Sequence, residues 1–165
     1  MVTTLLPAAE VAATVPDPEL PMLTLADLGV LAGVEQQGEA VTVWLTPTYS
    51  GCPAVAEMAA DVDGRLRAAG YTDVRVRLRL DPPWSTDLIT AEGRRKLAEA
   101  GIAPPGPTAA APSGLLRLGP TRLSVDCPQC GSADTEELSR FGSTACKALW
   151  RCRACREPFE RMKEI

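Results

Sequence analysis

Cys127-Pro-Gln-Cys130, followed after 21 residues by Cys152-Arg-Ala-Cys155, decides the architecture of the C-terminal third of the chain. Each Cys-x-x-Cys hook is a tight turn that offers two sulfurs on one side, and two hooks at this separation can place four thiolates around one tetrahedral ion. The segments Glu137 to Arg140 and Ala145 to Trp150 between them can form a hairpin that carries one hook to the other, the arrangement of a zinc ribbon. A module this small, residues 121–165, cannot rest on an apolar core alone, so metal binding supplies much of its folding energy. Zinc is the expected structural ion. Iron, as in a rubredoxin-like electron carrier, is the alternative that four thiolates also accept. Two local disulfides or four free thiols would be the reading without a metal.

Upstream of the hooks, Ile102 to Pro120 holds five of the fifteen prolines together with three glycines and a run of alanines. It reads as a linker, partly extended in the polyproline manner. The expected partition is therefore a domain at 1–103, a linker at 104–120 and the four-cysteine module at 121–165. In the first domain Val41, Val43 and Leu45 alternate with Thr42, Trp44 and Thr46, the period of a strand with one buried face. Val74, Val76, Leu78 and Leu80 alternate with Arg75, Arg77 and Arg79 in the same way. Val55, Met58, Ala59, Val62, Leu66 and Ala69 recur at helical spacing between these strands, and Gly70 stops the helix. Pro53 suits a first helical position, which puts Cys52 at the N-cap and makes the order a strand–helix–strand crossover between parallel neighbours. Further helices are expected over Ala8 to Ala13 and Thr90 to Ala100. The fold class is α+β, a small α/β sandwich followed by a four-cysteine ribbon.

Composition excludes several kinds of chemistry. Histidine is absent, which removes triad hydrolysis and histidine-bound iron or copper from this chain. The 17 basic and 21 acidic residues leave a net charge of −4, with no basic block to track a phosphate backbone, so no nucleic acid is expected as partner. No segment approaches the roughly 18 unbroken apolar residues of a membrane span, and the first ten residues have no basic export signal. A soluble, cytoplasmic protein is expected, in which six cysteines serve metal or thiol chemistry.

Cys52 lies in Thr46-Pro-Thr-Tyr-Ser-Gly-Cys-Pro53. A thiol at a helix start has its thiolate favoured by the helix dipole, which would make it nucleophilic or metal-binding; equally, Cys52 reads as a small buried apolar residue. Asp17-Pro-Glu19 offers hard oxygen ligands on a proline-stiffened loop, or a plain solvated turn. Cys146, six residues before Cys152, is either a spare ligand or packed against the hairpin.

Asp17-Pro-Glu-Leu-Pro21, Asp27-Leu-Gly29, Thr46 to Pro53 and Pro82-Pro-Trp-Ser-Thr-Asp87 resemble the small α/β domain family of cytoplasmic iron–sulfur protein assembly. With Phe141-Gly-Ser-Thr-Ala-Cys-Lys147 and Glu157-Pro-Phe159 added, the chain resembles the PaaD (PaaJ) family of the multicomponent phenylacetyl-CoA epoxidase over nearly its whole length. That resemblance implies an accessory, non-catalytic role in aerobic phenylacetate breakdown, with the oxygenase and reductase subunits as partners. It implies that Cys52 transiently holds iron or an iron–sulfur cluster, with Asp17, Glu19, Thr48 and Ser50 in support. One thiol cannot hold a cluster alone, so a homodimer or a partner's ligands would complete the site. The chain itself has neither the Glu-x-x-His pairs of a di-iron bundle nor a dinucleotide-binding glycine fingerprint. The competing expectation is a structural adaptor that joins oxygenase subunits through its ribbon, with Cys52 inert.

Overall fold

The computed structural model describes residues 6–49, 51–106 and 125–165. The chain divides into two compact units, Met1–Gly93 and Arg94–Ile165. Most of the expected linker at 104–120 lies outside the described residues, as does Ser50.

The first unit is built on three strands, β1 (Leu31–Gln37), β2 (Ala40–Leu45) and β3 (Asp73–Leu78), in the order β1-β2-β3. β1 and β2 are antiparallel and meet at Gly38-Glu39, where Gly38 takes a φ of 64°, the left-handed conformation that a two-residue hairpin turn needs. β2 and β3 are parallel, in register from Ala40↔Asp73 to Leu45↔Leu78, and the helix α2 (Val55–Ala68) connects them as the periodicity predicts. α2 buries Met58, Val62 and Leu66, each worth about 1.5–3 kcal/mol relative to exposure, while Val41, Val43 and Leu45 bury the inner face of β2. Gly70, at φ 105°, ends the helix as expected. The short helix α1 (Ala8–Ala13) buries Ala8 and Ala12, and Tyr71 ties this segment down by donating its hydroxyl to the Leu6 carbonyl at 2.6 Å.

Two expectations fail here. Val74 is buried, but Leu78 and Leu80 are 49% and 63% exposed, because β3 is an edge strand with sheet on one side only. The N-cap of α2 is Ala54, not Cys52; Pro53 and Ala54 form a preliminary turn in which Val55 N–H donates to the Cys52 carbonyl at 3.4 Å.

The motifs between these elements lock onto one another. Thr24 and Asp27 cap each other reciprocally, Asp27 Oδ2 accepting from Thr24 N–H and Thr24 Oγ1 from Asp27 N–H, both at 3.0 Å. Trp84 donates its indole N–H to the Leu28 carbonyl at 2.9 Å, and Thr90 N–H donates to the Asp27 carbonyl at 2.9 Å. The third helix, α3 (Ala91–Glu99), starts at the division between the units, with Gly93 N–H donating to Thr90 Oγ1 at 3.0 Å.

The second unit is a four-stranded sheet in the order β4-β7-β6-β5, from β4 (Ile102–Ala103), β5 (Thr135–Ser139), β6 (Lys147–Cys152) and β7 (Pro158–Met162). The hairpin expected between the hooks is β5–β6, antiparallel from Thr135↔Cys152. β7 adds a third antiparallel strand, and β4 pairs with it in parallel, Ile102↔Glu160 and Ala103↔Arg161. The partition at residue 103 assigns Ile102 and Ala103 to the first domain, whereas their ladder partner is β7 of the second unit. The core is small: Ala103, Val125, Cys127, Ala148, Trp150, Cys152 and Phe159. No helix among the described residues is long and apolar enough to cross a membrane.

Candidate metal centre

The two hooks share one backbone design. Cys127 N–H donates to the Ser132 carbonyl at 2.9 Å, and Cys152 N–H donates to the Glu157 carbonyl at 3.0 Å, five residues on in each case. The residue after each second cysteine adopts the left-handed conformation, Gly131 at φ 73° and Arg156 at φ 67°. Each turn thereby folds its two sulfurs to the same side. β6 delivers Cys152 to the end of the hairpin opposite Thr135, and Arg153 N–H donates to the Asp134 carbonyl at 2.8 Å, holding the second hook against the strand that follows the first.

All four sulfurs converge within 4.8 Å of one another, and among the described residues this is the one group of three or more such ligands. Cys127 Sγ lies 3.7 Å from Cys155 Sγ, and Cys130 Sγ lies 3.6 Å from Cys152 Sγ. A tetrahedral ion with metal–sulfur bonds of about 2.3 Å separates its sulfurs by about 3.8 Å, so the spacing fits such an ion. It is far from the S–S length of about 2.05 Å in a disulfide, and all six cysteines are free.

The electrostatics agree with the geometry. Cys155 N–H, donating to Cys152 Sγ at 3.5 Å, is the largest influence that pulls the Cys152 thiol down to about 7. At Cys155 the Glu157 backbone N–H acts in the same direction, but burial and the three neighbouring sulfurs outweigh it and push this thiol up to about 12. A divalent cation at the centre removes that repulsion. Around the hooks, Glu136 clamps the hairpin by accepting from Arg153 at 2.8 and 3.2 Å and from Arg151 at 3.0 Å. These bonds, Arg153 first, hold its carboxyl below the usual range.

The other candidates stand apart from this cluster. Cys52 is buried at 8% exposure, Cys52 N–H donates to the Tyr49 carbonyl at 3.3 Å, and no described group hydrogen-bonds its thiol. Thr48 is also buried. Asp17 is 2% exposed, and its Oδ1 accepts from Glu19 N–H at 2.9 Å and Leu20 N–H at 2.8 Å, so it closes its own loop. Glu19 is half-buried. Cys146 is buried with its sulfur 3.1 Å from Thr144 Oγ1, packed in the hairpin loop and outside the four-sulfur group.

Buried charges escape a reading of the sequence. Lys147 is 4% exposed and donates to Glu160 Oε2 at 2.8 Å, while Glu160 Oε1 accepts Ser143 N–H at 2.6 Å. Arg161 is 5% exposed, ion-paired to Glu164 and stacked 5.7 Å from the Trp150 ring centroid.

Fold and cluster together define a class: an iron–sulfur-assembly-type α+β unit followed by a four-cysteine β-ribbon. Residues 10–78 match the family described as iron-sulfur cluster assembly protein, and residues 112–163 match the family described as PaaD zinc beta ribbon domain. A curated Escherichia coli (strain K12) protein, named as the D component of 1,2-phenylacetyl-CoA epoxidase, is 47% identical over 151 residues, covering 92% of this chain and 87% of its own. The chain belongs to that PaaD family of epoxidase components. Among solved structures, a domain of unknown function (DUF59) from Bacillus anthracis is similar at TM-score 0.50 and 24% identity, over 55% of this chain and 87% of its own, a likeness of fold. A conserved hypothetical protein from Thermotoga maritima is similar at TM-score 0.46 and 27% identity, over 55% of this chain and 89% of its own.

Proposed function

We propose that this chain is an accessory protein of the phenylacetyl-CoA epoxidase system that helps assemble iron or iron–sulfur centres in the other subunits. The observation that supports this reading best is the union of an iron–sulfur-assembly domain with a four-thiolate ribbon, in a chain 47% identical to a named epoxidase component. The ribbon holds one structural zinc on Cys127, Cys130, Cys152 and Cys155. Its role is to fold its own module and present a surface, since a closed four-ligand site leaves no open position for chemistry.

The transfer chemistry belongs to Cys52, on the loop that leaves β2 at the carboxyl end of a parallel pair, where α/β sheets commonly place their sites. Its burial means that the loop at 46–54 opens before the thiol takes iron, and the missing ligands come from a client subunit or a second copy. Asp17 and Thr48 shape the loops of the assembly domain, while Glu19 and Ser50 complete the set the resemblance brings in.

The test is metal analysis of anaerobically purified protein, wild type beside Cys52→Ser, together with epoxidase activity of the reconstituted system. Iron lost and zinc retained in the variant, with activity lost, supports assembly chemistry. The burial of Cys52 favours a second reading, the structural adaptor. Full activity and full metallation of the other subunits with Cys52→Ser would leave that reading alone.

A further inference from the structure

The outer face of the three-stranded sheet carries an aromatic and cationic surface that the assembly reading does not use. Trp44 pairs across the ladder with Arg77, and the guanidinium carbons of Arg77 and Arg79 lie 6.0 and 5.1 Å from the centroid of its ring. The opposite edge of the indole is fixed by its N–H, which donates to Glu35 Oε1 at 3.3 Å. Several other arginines have carboxylates: Arg67 has Asp63, Arg75 has Asp73, Arg151 and Arg153 share Glu136, and Arg161 has Glu164. Arg77 and Arg79 have the face of Trp44 instead, and no carboxylate among the described residues. Arg79 is also the single charged residue lining a recess of about 390 Å3 bounded by Ala26, Leu31, Pro82 and Leu88.

We propose that this face docks an acidic segment of a partner protein, whose carboxylates bind Arg77 and Arg79 while a neighbouring apolar side chain enters the recess. A guanidinium stacked on an indole keeps its N–H donors free at the rim of the plane, where a carboxylate can accept two at once. Tryptophan and arginine are the residues most enriched where binding energy concentrates, and here they adjoin an apolar cavity that gives the contact a desolvated anchor. Two unpaired guanidiniums against the single Glu35 carboxylate leave this face locally positive on a chain whose net charge is −4, which sets up attraction to an acidic partner. A second copy is a poor occupant, because a two-fold contact through this face sets arginines against arginines. Leu88, 51% exposed, supplies further apolar area beside Arg79 at the recess. The surface does not depend on the Cys52 chemistry and stands whether the chain is an assembly factor or an adaptor.

The experiment measures binding of full-length, metal-loaded protein to each purified epoxidase subunit by calorimetry, at low and physiological salt. At least one subunit is expected to bind, more weakly as salt rises. Arg77→Glu/Arg79→Glu is expected to weaken that binding tenfold or more, and Leu88→Asp to weaken it as well, with melting temperature and metal content unchanged. Arg65→Glu, an exposed charge on α2, is the control and should leave binding as it was. If the double reversal lowers the melting temperature, Arg77→Gln/Arg79→Gln decides in the same assay. The proposal is overturned if no subunit binds the wild type, if the arginine variants bind as the wild type does, or if Arg65→Glu loses as much. It is equally overturned if sedimentation shows a homodimer that the arginine variants abolish, or if free hexanoate saturates the recess and leaves subunit binding intact.

Discussion

Gly29 stands against Leu88 so closely that a Cβ on it would lie 2.6 Å from both the Leu88 Cβ and the Leu88 carbonyl oxygen. Its φ of 73° is also one that side chains resist, so Gly29 is required twice over, by conformation and by contact. Gly29→Ala should destabilise the first unit by about 2–4 kcal/mol through overpacking and backbone strain combined. Chemical denaturation followed by tryptophan fluorescence measures the loss, and a variant within 0.5 kcal/mol of wild type, by the usual surface-substitution spread of about that size, would contradict it.

The dependence of the ribbon on a metal ion can be tested directly. Replacing any one of Cys127, Cys130, Cys152 or Cys155 by Ser should release about one zinc per chain and unfold the second unit, because coordination energy there is folding energy. Since β4 pairs with β7, amide protection at Glu160 should vanish together with that at Ala148. Hydrogen exchange should meanwhile find the β2–β3 ladder of the first unit unchanged. A module that keeps its protection after zinc removal would show that the metal is not what folds it.

Arg156 and Gly131 occupy equivalent positions in the two hooks, yet only one is glycine. A non-glycine residue at φ 67° carries a conformational cost of about 1–2 kcal/mol, partly returned by its stiffer unfolded chain. Arg156→Gly should therefore stabilise the module by about 0.5–1 kcal/mol. A chelator titration of the ribbon's unfolding would register this as slower zinc loss; faster loss would mean that the Arg156 side chain makes a contact worth more than the strain.

Glu160 links the hairpin loop to the sheet through Lys147 and Ser143. Burial, the largest single influence, disfavours its charge, but the Lys147 ammonium and the Ser143 N–H outweigh it and lower its pKa. A depressed carboxyl stabilises the fold above its unfolded pKa of about 4.3, and that contribution is lost as pH falls through the lower folded value. Glu160→Gln should remove this acid-side step, compared as a difference from wild type because thiolate protonation releases metal at low pH in both. It also leaves Lys147 buried without a counter-charge, a loss of about 1–3 kcal/mol at neutral pH. Parallel pH–stability curves for the two proteins would refute the pairing as a source of stability.

Much of this structure is legible in the sequence, for identifiable reasons. Helix α2 follows from apolar spacing over four turns with a glycine stop, and the four-sulfur cluster follows from hook spacing. β1 escapes such a reading because Gly33, opposite Trp44 beside a ladder irregularity, breaks the alternation of Leu31 to Gln37. β4 is two residues long at the edge of a proline-rich stretch, and β7 opens on Pro158; ladder pairing, β4 to β7 and β7 to β6, makes them strands. Leu78 and Leu80 show the converse, a clean period-two pattern without burial, since alternation reports which face a side chain takes and not whether anything covers it. The cap expected at Cys52 falls two residues early because Pro53 suits a turn before a helix as well as its first position.

Cys52 and Cys146 are both buried, at 8% and 5% exposure, so a static view predicts little reaction of either with alkylating reagents. What separates them is how each is held. Cys146 has its sulfur against Thr144 Oγ1 and its carbonyl accepting Lys163 N–H at 2.9 Å, next to the β6–β7 ladder. Cys52 has no hydrogen bond to its thiol among the described residues and follows Gly51, at φ 94° with open space around it. Exposing Cys146 means opening the sheet of the second unit, whereas exposing Cys52 requires only a local opening of the loop, which lies lower in free energy. In zinc-loaded protein iodoacetamide should modify Cys52 at least about tenfold faster than Cys146, a difference of about 1.4 kcal/mol in opening. Ferrous iron under anaerobic conditions should slow the reaction at Cys52 and leave Cys146 unaffected, because a coordinated thiolate is no longer a free nucleophile. Mass spectrometry of the modified peptides gives both rates from one sample. A Cys52 as inert as Cys146, with or without iron, would deny the assembly reading its thiol and leave the adaptor as the better account.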